Sequence, residues 1–157
     1  MLDVIMGIDP GYSGAIAVLG ADGGVLKMHD MPVYYKENNR KAIDIQAIKT
    51  IFLEQAPKHV VIEQVASRHG DGPVGAFSFG AGYGILLGLL AGIGIPHTTV
   101  LPQVWKKDLS VPANKDEARA RASQLLPLYS SFWLLKKHDG RAEAALIALY
   151  GLRRQLI

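Results

Sequence analysis

The sequence predicts an α/β fold: a mixed five-stranded sheet, formed by a three-strand antiparallel meander plus two parallel strands, with helices on both faces. Three observations lead there. Short apolar runs separated by turn residues occupy the first 30 positions, helical periodicity then alternates with short β-branched runs, and two helical segments close the chain.

Val4 to Ile8 is the first apolar run. It stops at Asp9-Pro10-Gly11-Tyr12-Ser13-Gly14, and Ala15 to Leu19 returns, so a strand, a turn and an antiparallel strand are expected. Ala21-Asp22-Gly23-Gly24 marks the next turn, Val25 to Met28 the third strand, and Pro32 its limit. Tyr34 to Arg40 is polar and reads as a mobile loop. Ile43, Ala47, Ile48 and Ile51 then recur at helical spacing, which predicts a helix from about Asp44 to Gln55, ended by Pro57. His59 to Ile62 is a short β-branched run leading into Glu63. A polar, glycine-rich segment from Ser67 to Gly75 precedes a long apolar helix reaching about Gly92, and Thr98 to Leu101 supplies the fifth strand. Asn114, with Asp116 and Glu117 behind it, has the pattern of a helix start, and that helix runs to Leu126 before Pro127. The last helix is expected from Asp139 to Leu156.

A chain of 157 residues, 49% apolar, suffices for one core, so a single domain over 1–157 is expected. The longest apolar stretch, Ile85 to Ile95, is broken by three glycines, whereas a membrane span needs roughly 20 residues. No membrane association is expected, and a cytoplasmic location is the default. The absence of cysteine excludes disulfides and thiolate metal sites. Charge is uneven: residues 1–103 carry 7 Lys+Arg against 9 Asp+Glu, and residues 104–157 carry 10 against 5. A basic C-terminal third fits a polyanionic partner, although any surface needs solvated lysines.

Two strands end on a carboxylate, Asp9 and Glu63. Asp9 alone has an ordinary explanation as a turn former. Glu63 is harder to explain that way, because four apolar residues deliver it to the interior edge of the sheet, where an unpaired charge is costly. In His138-Asp139-Gly140-Arg141-Ala142-Glu143, Asp139 and Glu143 stand four apart, on one face of a helix. The helix dipole accounts for one acid at a helix start, but not for Glu143 inside the apolar run that follows. Four carboxylates brought together would repel each other unless cations neutralised them. Hard oxygen donors suit Mg²⁺ or Mn²⁺, and two such ions roughly 4 Å apart would activate water and stabilise the leaving oxygen of a phosphodiester. Asp9, Glu63, Asp139 and Glu143 are therefore the expected catalytic residues and metal ligands.

Three segments carry a family resemblance: Gly7-Ile8-Asp9-Pro10-Gly11-Tyr12-Ser13-Gly14, Val61-Ile62-Glu63-Gln64-Val65, and Lys136-Lys137-His138-Asp139-Gly140-Arg141-Ala142-Glu143-Ala144. In order and across most of the chain, they resemble the acidic motifs of RuvC-type Holliday-junction resolvases, with a wording most similar to phage-borne members. The resemblance implies an RNase-H-like fold and a Mg²⁺- or Mn²⁺-dependent endodeoxyribonuclease. It further implies a homodimer placing paired nicks across four-way or other branched DNA. Family members commonly space the last two acids three apart, where this chain has Gly140; either Asp139 serves at a spacing of four, or His138 contributes instead. Two other readings stay open: a module that binds branched DNA without cutting it, and a related nuclease acting on RNA–DNA hybrids.

Candidate DNA contacts are Arg68 and His69 behind Glu63, Lys106 and Lys107 after the fifth strand, Lys115, and Lys136 and Lys137 before the acidic helix. The family pattern favours Lys107 and Lys115 among the lysines. Phe77 and Phe79 suit either base stacking or the core. Gly80, Gly84, Gly88 and Gly92 recur every fourth residue of the long helix, each at a cost of about 1 kcal/mol relative to alanine. Such a stripe admits a close backbone neighbour, which is either the chain's own sheet or, as the resemblance implies, a second copy.

Overall fold

The structure, a computed structural model, describes residues 2–67 and 69–157. Arg68, one of the expected phosphate contacts, lies outside the described residues.

Strands β1 (Val4–Asp9), β2 (Ala15–Gly20) and β3 (Val25–Asp30) form the expected meander. After β4 (Val33–Tyr35), β5 (Lys41–Ile43) and helix α1 (Ile45–Gln55), strand β6 (His59–Glu63) pairs parallel to β1. Helix α2 (Pro73–Ile93) leads to β7 (His97–Val100), parallel to β6, giving the sheet order β3-β2-β1-β6-β7. Helices α3 (Pro102–Asp108), α4 (Lys115–Leu125) and α5 (Asp139–Arg153) complete the chain, with two 3₁₀ segments, Pro127–Trp133 and Lys136–His138, before α5. The mixed sheet with helices on both faces is thus the fold the sequence predicts.

Strand alternation sorts the sheet into two faces and aims the acids. Met6 and Ile8 of β1, with Val60 and Ile62 of β6, pack against Ile48 and Phe52 of α1 and Leu86 and Leu90 of α2. Their neighbours Ile5 and Val61 point the other way, into a core shared with Trp105, Ala118, Ala122 and the apolar face of α5. Asp9 and Glu63 follow Ile5 and Val61 by the period of two, so both carboxylates face α5. Gly7 lies between Ile5 and Asp9. A Cβ there would fall 2.1 Å from the Ala144 carbonyl oxygen and 2.4 Å from the Ala148 nitrogen, so α5 rests directly on the β1 backbone.

Local signals set the helix ends. The Asp44 side chain accepts from the Ala47 N–H at 3.0 Å, and Asn114 accepts from Glu117 N–H at 3.0 Å. Left-handed Gly94 (φ 83°) closes α2.

Four expectations shift. Tyr34 to Arg40 is not a loose loop but the greater part of a β4–β5 hairpin. Helix α2 starts at Pro73, so Phe77 and Phe79 are helical, with Phe77 80% exposed rather than in the core. Helix α3 was unforeseen, and α5 ends at Arg153, short of Leu156. With its earlier start, α2 reaches 21 residues and passes the length and apolarity test for a membrane span, yet Gly82, Leu86 and Leu90 are buried on the sheet.

Candidate active site

Three of the four expected carboxylates converge. One oxygen from each of Asp9, Glu63 and Glu143 lies within 4.8 Å of the other two. The backbone explains it: Ile8 and Ile62 are paired across β1 and β6, so the next residue on each strand, Asp9 and Glu63, emerges side by side at the sheet's edge. Helix α5 crosses that edge and contributes Glu143, only 4% exposed.

Burial and mutual repulsion act on these acids together. Desolvation, reinforced by the charges of Glu143 and Glu63, pushes the Asp9 carboxyl up to about 7, against the pull of Lys115 and the Gly11 N–H. Glu63 is also raised, chiefly by burial, while a hydrogen bond from Trp105 Nε1 to its Oε2 at 2.8 Å opposes the shift. Lys115 Nζ donates to Glu143 Oε1 at 2.5 Å, and Lys106 Nζ stands 3.8 Å from the same oxygen. Desolvation disfavours the Lys115 ammonium, but Glu143, Asp9 and Asp139 outweigh it and raise its pKa. These two lysines are what Glu143 meets inside an apolar helix.

The donor set fits a divalent cation. Among the described residues it offers three converging carboxylates and no softer ligand, and it forces Asp9 towards its neutral form when only lysines supply positive charge. A hard cation would remove that repulsion and restore the carboxylate.

Asp139 stands apart from the trio. Its Oδ1 lies 2.8 Å from Arg119 Nε, a close ion pair whose angle is too poor for a hydrogen bond. Arg119 also reaches Asp116 and the Leu134 carbonyl oxygen. Lys115 and Arg119, one turn apart on α4, thereby mirror Glu143 and Asp139, one turn apart on α5, and form a two-rung ladder of opposite charges. Gly140 explains the spacing of four. A Cβ at this position would lie 2.5 Å from the Ser13 carbonyl oxygen and 2.8 Å from Gly14 Cα, so no carboxylate fits three residues before Glu143. His138 does not join the cluster either; its Nδ1 faces the Leu135 N–H at 3.4 Å.

The start of α5 is fixed from outside as well. Arg141 donates from Nε and Nη2 to the two oxygens of Asp30, at 2.7 and 2.8 Å, and from Nη1 to the Phe132 carbonyl at 3.1 Å. This fork ties the acidic helix to the end of β3.

The remaining expected residues spread around this centre. Lys106 is drawn into it and lies over the Trp105 ring, 5.3 Å from the centroid. Lys107, Lys115, Lys136, Lys137 and His69 are all solvent-exposed. Phe79 lines a groove with Glu63, Gln64 and Gln103. Among the described residues, an added Cβ at Gly80, Gly84, Gly88 or Gly92 would meet nothing within 4 Å, so the stripe does not pack on the described sheet. Sequence reasoning missed Trp105, Arg119 and Arg141. For Arg119 a signal existed: two basic residues four apart on one helix and two acids four apart on the next.

No protein-family model matches the chain. Over 85 residues, 53% of its length, it is 36% identical to the chloroplastic Holliday junction resolvase MOC1 of Chlamydomonas reinhardtii, and the match spans 10% of that larger protein. In three dimensions it superposes on Thermus thermophilus RuvC, solved in complex with a Holliday junction substrate, with a TM-score of 0.63. That match has 16% identity and covers 97% of this chain and 96% of RuvC. The chain has the RuvC-type resolvase fold. The yeast mitochondrial Holliday junction resolvase Ydc2 agrees, with a TM-score of 0.61 and 16% identity over 99% of this chain and 82% of Ydc2. Within the RuvC-type fold, the three sequence motifs that suggested it are the segments that end β1, end β6 and open α5. Asp9, Glu63 and Glu143 come one from each.

Proposed function

We propose that this chain is a divalent-metal-dependent endonuclease of four-way or other branched DNA, acting as a homodimer that places paired nicks. The convergence of Asp9, Glu63 and Glu143 carries the reading, and the likeness to MOC1, RuvC and Ydc2, named as Holliday junction resolvases or solved with a junction substrate, supports the choice of DNA.

Asp9, Glu63 and Glu143 would hold Mg²⁺ or Mn²⁺, with Asp139 the carboxylate left for a second ion. Bound there, the metal supplies an activated water and charge neutralisation for phosphodiester hydrolysis. The chain's own residues do the rest. Trp105 fixes the Glu63 carboxylate through its indole N–H, Arg141 fixes the helix that carries Glu143, and Lys115 and Lys106 place positive charge where a scissile phosphate gathers negative charge. His69, Lys107, Lys136 and Lys137 would hold flanking phosphates, and Arg68 is proposed with them from its place in the sequence.

The bare glycine stripe of α2 supports the dimer: four small positions where, among the described residues, an added Cβ would meet nothing within 4 Å leave room for the same helix of a second copy.

The deciding assay incubates a labelled synthetic four-way junction, a linear duplex and an RNA–DNA hybrid with wild-type protein or Asp9→Asn, in Mg²⁺ or EDTA. Nicking of the junction that requires both Mg²⁺ and Asp9 is expected. Junction binding without nicking under any condition would leave a branched-DNA-binding module, and preferential cleavage of the hybrid would reassign the substrate.

A further inference from the structure

We infer that the β4–β5 hairpin is a second nucleic-acid contact, a preformed basic arm that grips the phosphate backbone beside the catalytic centre. This rests on the nuclease reading above and adds a binding element to it.

The hairpin is built rather than slack. Tyr34 and Ala42 are paired, as are Tyr35 and Lys41, and the turn is closed by Lys36 N–H to the Arg40 carbonyl at 2.9 Å and Asn39 N–H to the Lys36 carbonyl at 2.9 Å. Asn39 takes the left-handed conformation (φ 61°) that asparagine tolerates, and Asn38 Oδ1 accepts from Arg40 N–H at 3.1 Å. Its base hangs from the catalytic turn: Met31 N–H, just before β4, donates to the Gly14 carbonyl at 3.0 Å.

Its chemistry is that of a polyanion contact. Between Tyr34 and Lys41 stand three cations, Lys36, Arg40 and Lys41, and one acid, Glu37. Tyr34 and Tyr35 are 50% and 63% exposed, more than two tyrosines need for packing, and Lys41 lies over the Tyr35 ring at 6.0 Å. Two acids flanking the hairpin are engaged elsewhere, Asp30 by Arg141 and Asp44 by the start of α1.

Position connects the arm to the site. Lys36, Arg40 and Lys41 line a cleft of about 280 Å³ against α2, walled by Tyr12, Phe77 and Ser78. Lys41 and Tyr12 also line the adjoining depression with Lys137 and His138. Beyond that, Lys136 and Lys115 flank Asp139. Basic side chains thus recur from the hairpin past Asp9's turn to the acidic helix, interleaved with Asp30, Asp116 and Asp139. A phosphate backbone fits the three cations along this path, and the exposed apolar side chains of the cleft, Ile45, Val74 and Phe77, offer a surface for the sugar and base faces beside it.

The test uses the full chain in an Asp9→Asn background, so that binding is read without cleavage. Affinity for a labelled four-way junction is measured across a salt series for three proteins: the parent, a triple variant Lys36→Ala/Arg40→Ala/Lys41→Ala, and a control Lys58→Ala at the opposite end of the strands. The triple variant should lose about tenfold or more at low salt, and its slope of log affinity against log salt should fall by about 2 to 3, each phosphate contact adding about 0.9. The control should match the parent, and circular dichroism should show all three equally folded. A parental affinity and slope in the triple variant overturns the inference while the nuclease reading stands. A parental slope with a shift to monomer in sedimentation makes the hairpin a contact between copies, and also overturns it. Failure of the parent to bind any DNA removes the functional reading itself. Lys36→Glu/Arg40→Glu is the second variant, and should weaken binding further through repulsion.

Discussion

Helices α5 and α2 lie on opposite faces of the same sheet, both are apolar and glycine-bearing, and they use glycine for opposite ends. On the α5 side, glycine removes distance: Gly7 of β1 lies against the α5 backbone, Gly140 against the backbone of the turn at Ser13 and Gly14, and Gly151 against the side chains of Ile5 and Val61, so Glu143 is carried up to Asp9 and Glu63. On the α2 side, a Cβ added at Gly80, Gly84, Gly88 or Gly92 would meet nothing within 4 Å among the described residues, and the buried contacts come from Gly82, Leu86 and Leu90 instead. The same residue type that brings the site together on one face leaves a bare stripe on the other, the face the proposed dimer would use. A glycine pattern alone does not distinguish the two; what it faces does.

The largest expected effect breaks the first half of that comparison. Gly7→Ala sets a methyl group against the α5 backbone and should cost about 3 kcal/mol, lowering the thermal midpoint by roughly 6–12 °C. Metal-dependent nicking should fall with it even well below that midpoint, as α5 is displaced; an unchanged melting curve would mean the packing is looser than the structure has it.

Next comes pH, which probes the acids that α5 brings together. Asp9 has its carboxyl raised to about 7 in the folded protein. A folded pKa above the unfolded value means the folded state binds more protons in between, so stability without divalent metal should fall as pH rises from about 4 to 7. Thermal melts in EDTA should show this decline, Asp9→Asn should flatten it, and Mg²⁺ should stabilise more at pH 8 than at pH 5.

On the α2 side the sign reverses. Gly84→Ala/Gly88→Ala meets no steric obstacle and should stabilise the isolated helix by about 2 kcal/mol from propensity alone. If the stripe is where a second copy docks, sedimentation should show weaker association despite the higher intrinsic stability. Equal association would show that the stripe is not the contact.

The smallest effect sharpens the site. Trp105→Phe removes the indole donor to Glu63 and should cost about 1–2 kcal/mol of stability, with a several-fold loss of nicking rate. Nicking at the wild-type rate would show that Glu63 needs no such partner.

Much of this was legible in the sequence because it depends on short-range rules. A strand that stops on Asp9 or Glu63 announces its acid, and the period of two then aims both at the same face. Glu143 was legible as an anomaly, a charge within an apolar helix, and the structure supplies its cause in Lys115 and Lys106. What escaped had physical reasons. Helix α3 has 7 residues, too few for periodicity to separate it from a loop, and Trp105 went unseen with it. The β4–β5 hairpin has strands of 3 residues each, and its signal lay in the turn chemistry of Asn38-Asn39 rather than in any apolar pattern. Arg141 acts across a long sequence separation, to Asp30, that no local pattern encodes, and Arg119 was legible only by setting the charge spacing of one helix against that of the next.

Gly140 carries one more consequence, for how such a site can change. An acid three residues before Glu143 is barred here by the turn at Ser13 and Gly14, more than 120 positions earlier in the chain. Single substitutions therefore cannot convert one spacing of the last two acids into the other, since an acid at 140 must first unseat the helix from the turn. The first and last motifs form one mechanical unit, and a lineage that changes its acid spacing has to change both together.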